Sequence, residues 1–160
     1  MRWPELLTFE HSADGLMRLI FVAVVGGILI MNSTVFEKGA KVRTELSVDS
    51  IYYPNVFLES IFYNLISNAL KYTSKERTPE IMVRTYAREE RVIISVKDNG
   101  LGLDLEKHGK KLFKLNQVFH PGHDSKGVGL FITRAQIEYF GGSIEVKSAP
   151  DKGAEFIVTL

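Results

Sequence analysis

An alternating apolar run, Val92, Ile94 and Val96, leads directly into Asp98-Asn99-Gly100-Leu101-Gly102-Leu103-Asp104. The alternation predicts a strand with one buried face. A carboxylate then stands at the strand's end, followed by two glycines one residue apart. Glycines at that spacing let the backbone turn sharply and let a flat or anionic group come close. Alone, such a turn is common in loops. It constrains the fold because two further features must be explained with it. One is a second pair, Gly127-Val128-Gly129, and the other is an upstream helix that carries asparagines.

Tyr53-Pro54-Asn55 marks that helix's start, since proline fits a first turn, and the helix is expected to run to about Tyr72. Leu58, Ile61, Phe62, Leu65, Ile66 and Ala69 recur at helical spacing and give one apolar face. Asn64, Asn68 and Lys71 fall on a second face, beside Ser67. One such asparagine is usually a structural hydrogen-bond partner, and one such lysine is usually solvated. Together they suit another use. An amide oxygen fits a hard cation such as Mg²⁺, and an ammonium fits phosphate oxygens. The stripe is therefore a candidate seat for a metal-bound polyphosphate. At the other end of the site, Asp98 can accept a hydrogen bond from the exocyclic amine of adenine, while Gly100 and Gly102 let the ring lie against backbone. Gly127 and Gly129, opening the next helix, would offer N–H groups to phosphates.

The remaining pattern is a run of strands and helices. Leu6, Leu7 and Phe9 could form an edge strand, and Ser12 or Asp14 could cap a helix. Residues 15–38 read mostly as helix, with β-branched residues leaving a strand open in the middle, and Gly39 ends the segment. Val42, Thr44, Leu46 and Val48 alternate as a strand. Residues 80–87 and 91–97 form a hairpin across Arg88-Glu89-Glu90. Residues 99–126 read as a lid with one or two short helices, in which Phe113, Leu115, Val118 and Phe119 tuck under. A helix follows from Leu130 to Phe140, stopped by Gly141-Gly142, then a strand through Ile144 and Val146, a turn at residues 149–153, and a last strand from Glu155 to Leu160. The expected fold is α/β (α+β): a two-layer sandwich with helices on one face of a mixed, mostly antiparallel sheet.

Composition narrows the function. A net charge of +1, from 20 basic and 19 acidic residues, gives no basic field for nucleic acid. The absence of cysteine removes disulfides, thiolate metal sites and thiol nucleophiles. His11, His108, His120 and His123 lack metal-ligand spacing on a common helix, which gives no zinc site. Leu19 to Met31 carries no charge and is interrupted by Gly26-Gly27. A spanning helix needs about 20 apolar residues. The favoured reading is buried core or a subunit contact, with a short membrane anchor as the alternative.

The motifs in order resemble the ATP-binding domain of sensor histidine kinases, within the group that includes gyrase, Hsp90 and MutL. Asn64-Leu65-Ile66-Ser67-Asn68-Ala69-Leu70-Lys71-Tyr72 is similar to that family's N box, and Asp98-Asn99-Gly100-Leu101-Gly102 to its G1 box. Leu112-Phe113-Lys114 to Phe119 sits where its F box lies, and Gly127-Val128-Gly129-Leu130 is similar to its G2 box. The ending, Gly141-Gly142-Ser143-Ile144 through Gly153-Ala154-Glu155-Phe156, is also similar. The resemblance covers about Val42 to Leu160, so residues 41–160 are expected to be the ATP-binding domain and residues 1–40 an N-terminal segment of poorly defined helix or strand.

The resemblance implies a Bergerat-type fold with an ATP lid, ATP and Mg²⁺ as ligands, and a cytoplasmic setting, with a parent protein that can be membrane-associated. It implies Asn68 as the Mg²⁺ ligand, Asp98 as the adenine reader, Lys71 near the phosphates and Tyr72 near the nucleotide. Gly100, Gly102, Gly127, Val128, Gly129 and Leu130 would complete the nucleotide site. Asn64 occupies the helical position at which the gyrase and Hsp90 branches carry a water-activating glutamate. An amide cannot take up a proton at neutral pH, which favours phosphoryl transfer over hydrolysis. Ser125-Lys126 departs from the family's further glycine, and Lys126 would add a phosphate contact. His11, followed by Ser12-Ala13-Asp14, does not match the phosphoacceptor pattern. The acceptor histidine is thus expected on a dimerisation domain in the same full-length protein or in trans, with a response regulator downstream. Two alternatives are a stand-alone anti-sigma-type serine kinase and a nucleotide-switched protein-binding module.

Overall fold

The computed structural model describes residues 17–119 and 127–160. The expectations at Leu6, Leu7, Phe9, His11, Ser12, Asp14, Ser125 and Lys126 lie outside the described residues.

A five-stranded sheet in the order β2-β4-β5-β7-β6 forms one layer. Its strands are β2 (Lys41–Leu46), β4 (Glu80–Arg88), β5 (Arg91–Asp98), β6 (Ser143–Ser148) and β7 (Ala154–Thr159). Only the β2–β4 pair is parallel, and the other pairs are antiparallel. The mixed, mostly antiparallel sheet is as expected. The other layer contains α1 (Phe21–Met31), α3 (Asn55–Lys71) and α5 (Gly129–Tyr139), with a one-turn α2 (Thr34–Glu37) between α1 and β2. Leu58, Ile61, Phe62, Leu65, Ile66, Ala69 and Leu70 of α3 are all buried, on the face that the helical spacing marks out. They meet Ile81 and Val83 of β4, Ile94 and Val96 of β5, and Phe156 and Val158 of β7 in one core. Alternate residues of each strand point to that face, as a period of two requires.

The β4–β5 hairpin turns on Glu89 and Glu90, both at positive φ (51° and 63°). Two left-handed central residues give the twist that joins adjacent strands through a two-residue loop. β5 is the central strand, so Asp98 ends the strand with most support on both sides.

The N-terminal part differs from expectation. Residues 17–38 are mostly helix, in two pieces, but β1 (Met17–Ile20) precedes them and pairs antiparallel with β3 (Ser50–Tyr53) in a separate two-stranded sheet. The strand lies at the start of the apolar run rather than in its middle. Helix α1 continues through Gly26 and Gly27 instead of being interrupted there. Each glycine costs about 1 kcal/mol in a helix interior, but Phe21 and Val25 anchor the helix in the core, with the Phe21 ring edge-on to Phe62 at 5.9 Å. Those two are its only buried residues; Ile30 and Met31 are 69% and 89% exposed. The run is thus core along one edge and open along the other. Among the described residues no helix is long and apolar enough to cross a membrane.

Candidate functional site

The end of β5 and the loop after it form one wall of a cleft. Asp98 is partly buried, and its Oδ1 accepts from the backbone N–H of Gly100 at 2.8 Å and of Ala154 at 3.4 Å. Both bonds fall on the same oxygen, which leaves Oδ2 as the acceptor available to a ligand. Burial pushes the Asp98 carboxyl up to about 6, and the two N–H groups oppose that rise. A partly buried carboxylate with one oxygen held is suited to recognising a donor through the other.

The cleft encloses about 690 Å³, part of it open solvent. Asn68 and Tyr72 come from the end of α3, Asp98, Gly102 and Leu103 from β5 and its loop, and Gly127, Gly129 and Leu130 from the start of α5. Leu112, Gln117 and Phe119 close it from the lid segment, and Ala154 and Phe156 from β7. The structure therefore brings together residues 68, 72, 98, 102, 127, 129 and 130 of the expected site.

Other expected residues stand around the cleft without lining it. Asn64 spans from α3 to α5: its Nδ2 donates to the Gly129 carbonyl at 3.5 Å and to Thr133 Oγ1 at 3.0 Å. Thr133 is fully buried and donates in turn to the Gly129 carbonyl at 2.8 Å. This network fixes where α5 begins relative to Asn68, one turn further along α3. Lys71 sits on the last turn of α3 with Nζ 5.9 Å from the Tyr72 ring centroid. Val128 is the residue before α5, and Gly100 lies behind the wall.

The glycines are required for a different reason than ligand approach. A Cβ on Gly100 would lie 2.2 Å from the Tyr72 carbonyl oxygen, and one on Gly102 (φ +66°) 2.0 Å from that of Ala149. The loop packs its backbone against the protein's own backbone at both positions. Gly127 (φ +66°) is equally tight, its Cβ position 2.6 Å from Gln117 N, and its carbonyl accepts from Asn116 N at 3.1 Å. That bond ties Asn116, within the lid segment, to the residue that follows the lid. At Gly129 the nearest atom is Asn64 Oδ1 at 3.6 Å, an ordinary contact.

The lid contains α4 (Leu105–His108), whose N-terminus Asp104 caps by accepting from Lys107 N at 3.1 Å, and a short 3-10 turn after it. Phe113 packs edge-on to Phe156 at 6.4 Å, and the Phe119 ring lies tilted against His108 with centroids 5.0 Å apart. Leu115 and Val118 do not tuck under; they stay 47% and 44% exposed.

Sequence reasoning missed Ala154 and Gly153. The Cβ position of Gly153 (φ +76°) lies 2.0 Å from the Asp98 carbonyl oxygen. Only a glycine lets the β6–β7 turn press on the end of β5, and that contact brings Ala154 N to the Asp98 carboxylate. The signal was a glycine at the end of a predicted turn, which carries no chemistry by itself.

Comparison with known proteins agrees with this geometry. Residues 54–160 match the family described as histidine kinase-, DNA gyrase B-, and HSP90-like ATPase. The methanogenesis regulatory histidine kinase FilI of Methanothrix harundinacea is 31% identical over 124 residues, which is 78% of this chain and 14% of that protein. The sensor protein RprX of Bacteroides fragilis is 32% identical over 114 residues, 69% of this chain and 22% of that protein. The chain thus spans less than a quarter of the length of these curated relatives. Among solved structures, full-length ShkA in complex with AMPPNP superposes with a TM-score of 0.77 at 25% identity, over 94% of this chain and 31% of that one. The mycobacterial sensor histidine kinase MprB shares the fold, with a TM-score of 0.74 at 17% identity over 94% of this chain and 97% of that one. The chain belongs to the histidine kinase-, DNA gyrase B- and HSP90-like ATPase family, as the ATPase-type domain of its sensor kinase branch.

Proposed function

We propose that this domain binds Mg-ATP in the cleft and donates the γ-phosphoryl group to a histidine on a dimerisation domain, carried by the same longer protein or supplied in trans. A response regulator then receives the group, and the domain works in the cytoplasm. The observation that carries the reading is Asp98, a partly buried carboxylate at the end of the central strand that lines the cleft with its Oδ1 held by two N–H groups.

Adenine fits at that end. Its exocyclic amine donates to Asp98 Oδ2, and Leu103, Leu112 and Phe156 exclude water from the ring. Gly100 and Gly102 hold the loop that carries Asp98. The phosphates run toward Asn68 and the start of α5, where the first-turn amides of residues 128–130 lack helical acceptors and favour an anion. Lys71 and Lys126 supply cations near the phosphates, and Tyr72 packs beside the nucleotide. The amide oxygen of Asn68 fits Mg²⁺, which neutralises phosphate charge when bound. Asn64 contributes by fixing α5 through Gly129 and Thr133. Its amide takes up no proton, so no base for water stands there, and this favours transfer over hydrolysis. In the transfer, the bond from the γ-phosphorus to ADP breaks as a bond to an imidazole nitrogen forms. Catalysis rests on positioning and charge stabilisation.

The test is label transfer from γ-labelled Mg-ATP to a dimerisation fragment bearing an acceptor histidine. The expected product is acid-labile, base-stable phosphohistidine on the fragment. Release of free phosphate without transfer would refute the kinase reading, and an acid-stable phosphoserine would replace it with the anti-sigma-type alternative.

A further inference from the structure

Arg77 lies in the connection between α3 and β4, outside every motif that marks the site. Its side chain is 31% exposed, low for an arginine on a loop. Nε donates to the Asn99 carbonyl at 3.0 Å, and Nη2 donates to the Gly100 carbonyl at 3.0 Å and to Asp151 Oδ1 at 2.9 Å. One guanidinium therefore joins the two residues after Asp98 to the β6–β7 turn.

The same loop is pinned on its other sides by backbone and amide contacts. Leu101 N donates to the Tyr72 carbonyl at 2.9 Å, and Asp151 N donates to the Leu101 carbonyl at 2.7 Å. The Asn99 side chain donates to the Thr78 carbonyl at 3.0 Å and accepts from Glu80 N at 2.9 Å. Arg77 is the donor to the carbonyls of Asn99 and Gly100, whose peptide groups fix where Gly100 N points. Gly100 N is one of the two donors that hold Asp98 Oδ1. The other, Ala154 N, belongs to the strand that the Asp151 turn leads into. Arg77 thus reaches both donors through one bond network, and it lines no part of the cleft.

We infer that Arg77 is a positioning residue for base recognition: it clamps the Asn99-Gly100 peptides to the Asp151 turn so that the carboxylate of Asp98 faces the cleft with one oxygen free. The inference rests on the nucleotide reading above. It does not require Arg77 to touch nucleotide. The planar fork is essential, because a lysine keeps the charge but cannot satisfy three acceptors in that plane.

The experiment compares ATP with purine riboside triphosphate, which lacks the exocyclic amine, in titrations of the wild-type chain, Arg77→Lys and Asp151→Asn. Arg84→Lys is the matched control, since Arg84 pairs with Glu45 away from the cleft. Arg77→Lys should weaken ATP about tenfold, equivalent to about 1.4 kcal/mol, while leaving the analogue within about twofold, so that the preference for the amine collapses. Asp151→Asn should shift the preference in the same direction by a smaller factor, and it remains informative if Arg77→Lys does not fold. Urea unfolding of each nucleotide-free variant separates positioning from lost stability. Equal losses for both nucleotides, or an unchanged preference in both variants, would overturn the inference. Failure of the wild-type chain to bind either nucleotide would instead refute the nucleotide reading, and the inference with it.

Discussion

Replacing Asp98 with asparagine should make the nucleotide-free domain more stable while removing its ligand. Burial holds the Asp98 carboxyl at about 6 against an ordinary 3.8, a net shift that already includes the bonds from Gly100 and Ala154. Each unit is worth about 1.36 kcal/mol, so keeping the group ionised costs the fold about 3 kcal/mol above pH 6. An amide retains the acceptor for both N–H groups and carries no charge to desolvate. The sign follows from proton binding. Between 3.8 and about 6 the folded state holds more protons than the unfolded state, so wild-type stability falls as pH rises through that window. Asp98→Asn should exceed wild type by up to about 3 kcal/mol at pH 8, shrinking to about 1 kcal/mol at pH 4.5. In thermal unfolding that is roughly 2–4 °C per kcal/mol for a chain of this size. Urea unfolding of both proteins at the two pH values measures it. A variant less stable than wild type at pH 8, or a difference independent of pH, would refute the reasoning.

Three further outcomes follow from the same geometry. Gly153→Ala forces a Cβ to within 2.0 Å of the Asp98 carbonyl at φ +76° and should cost roughly 2–4 kcal/mol in urea unfolding, whereas Gly129→Ala meets only an ordinary 3.6 Å contact and should stay within about 1 kcal/mol. Asn68→Ala should leave ATP binding without Mg²⁺ near wild type and remove most of the enhancement by Mg²⁺, read by titration with and without the ion. ATP affinity should drop as pH falls through about 6, where Asp98 takes up a proton, while a nucleotide analogue lacking the exocyclic amine should show a smaller drop over the same range.

The parts of the molecule with strong periodicity were legible in the sequence. The apolar face of α3, the β4–β5 hairpin and the glycine stop after α5 each follow from local pattern and turn chemistry. The N-terminal elements were not. Apart from Arg18, residues 17–31 are apolar without alternation, and neither a period of two nor one of 3.6 can be read from such a run. What divides it into β1 and α1 is pairing with β3, a four-residue strand too short to announce itself. The candidate site was legible where its lining is made of side chains, at Asp98, Asn68 and Tyr72. It was opaque where chemistry resides in backbone contact. That Gly100 and Gly102 accommodate carbonyls of Tyr72 and Ala149, and that Gly153 seats Asp98, depends on segments 28 to 55 residues apart. Arg77 carries no local signal for the same reason: all three of its acceptors come from elsewhere in the chain.

A calorimetric titration of the folded chain with Mg-ATP, run beside Asp98→Asn, tests most directly whether this cleft reads adenine through that carboxylate. The structure predicts saturable one-site binding by the wild-type chain and none by the variant, with both proteins demonstrably folded. Equal binding by the two would contradict the assignment of Asp98 as the adenine acceptor.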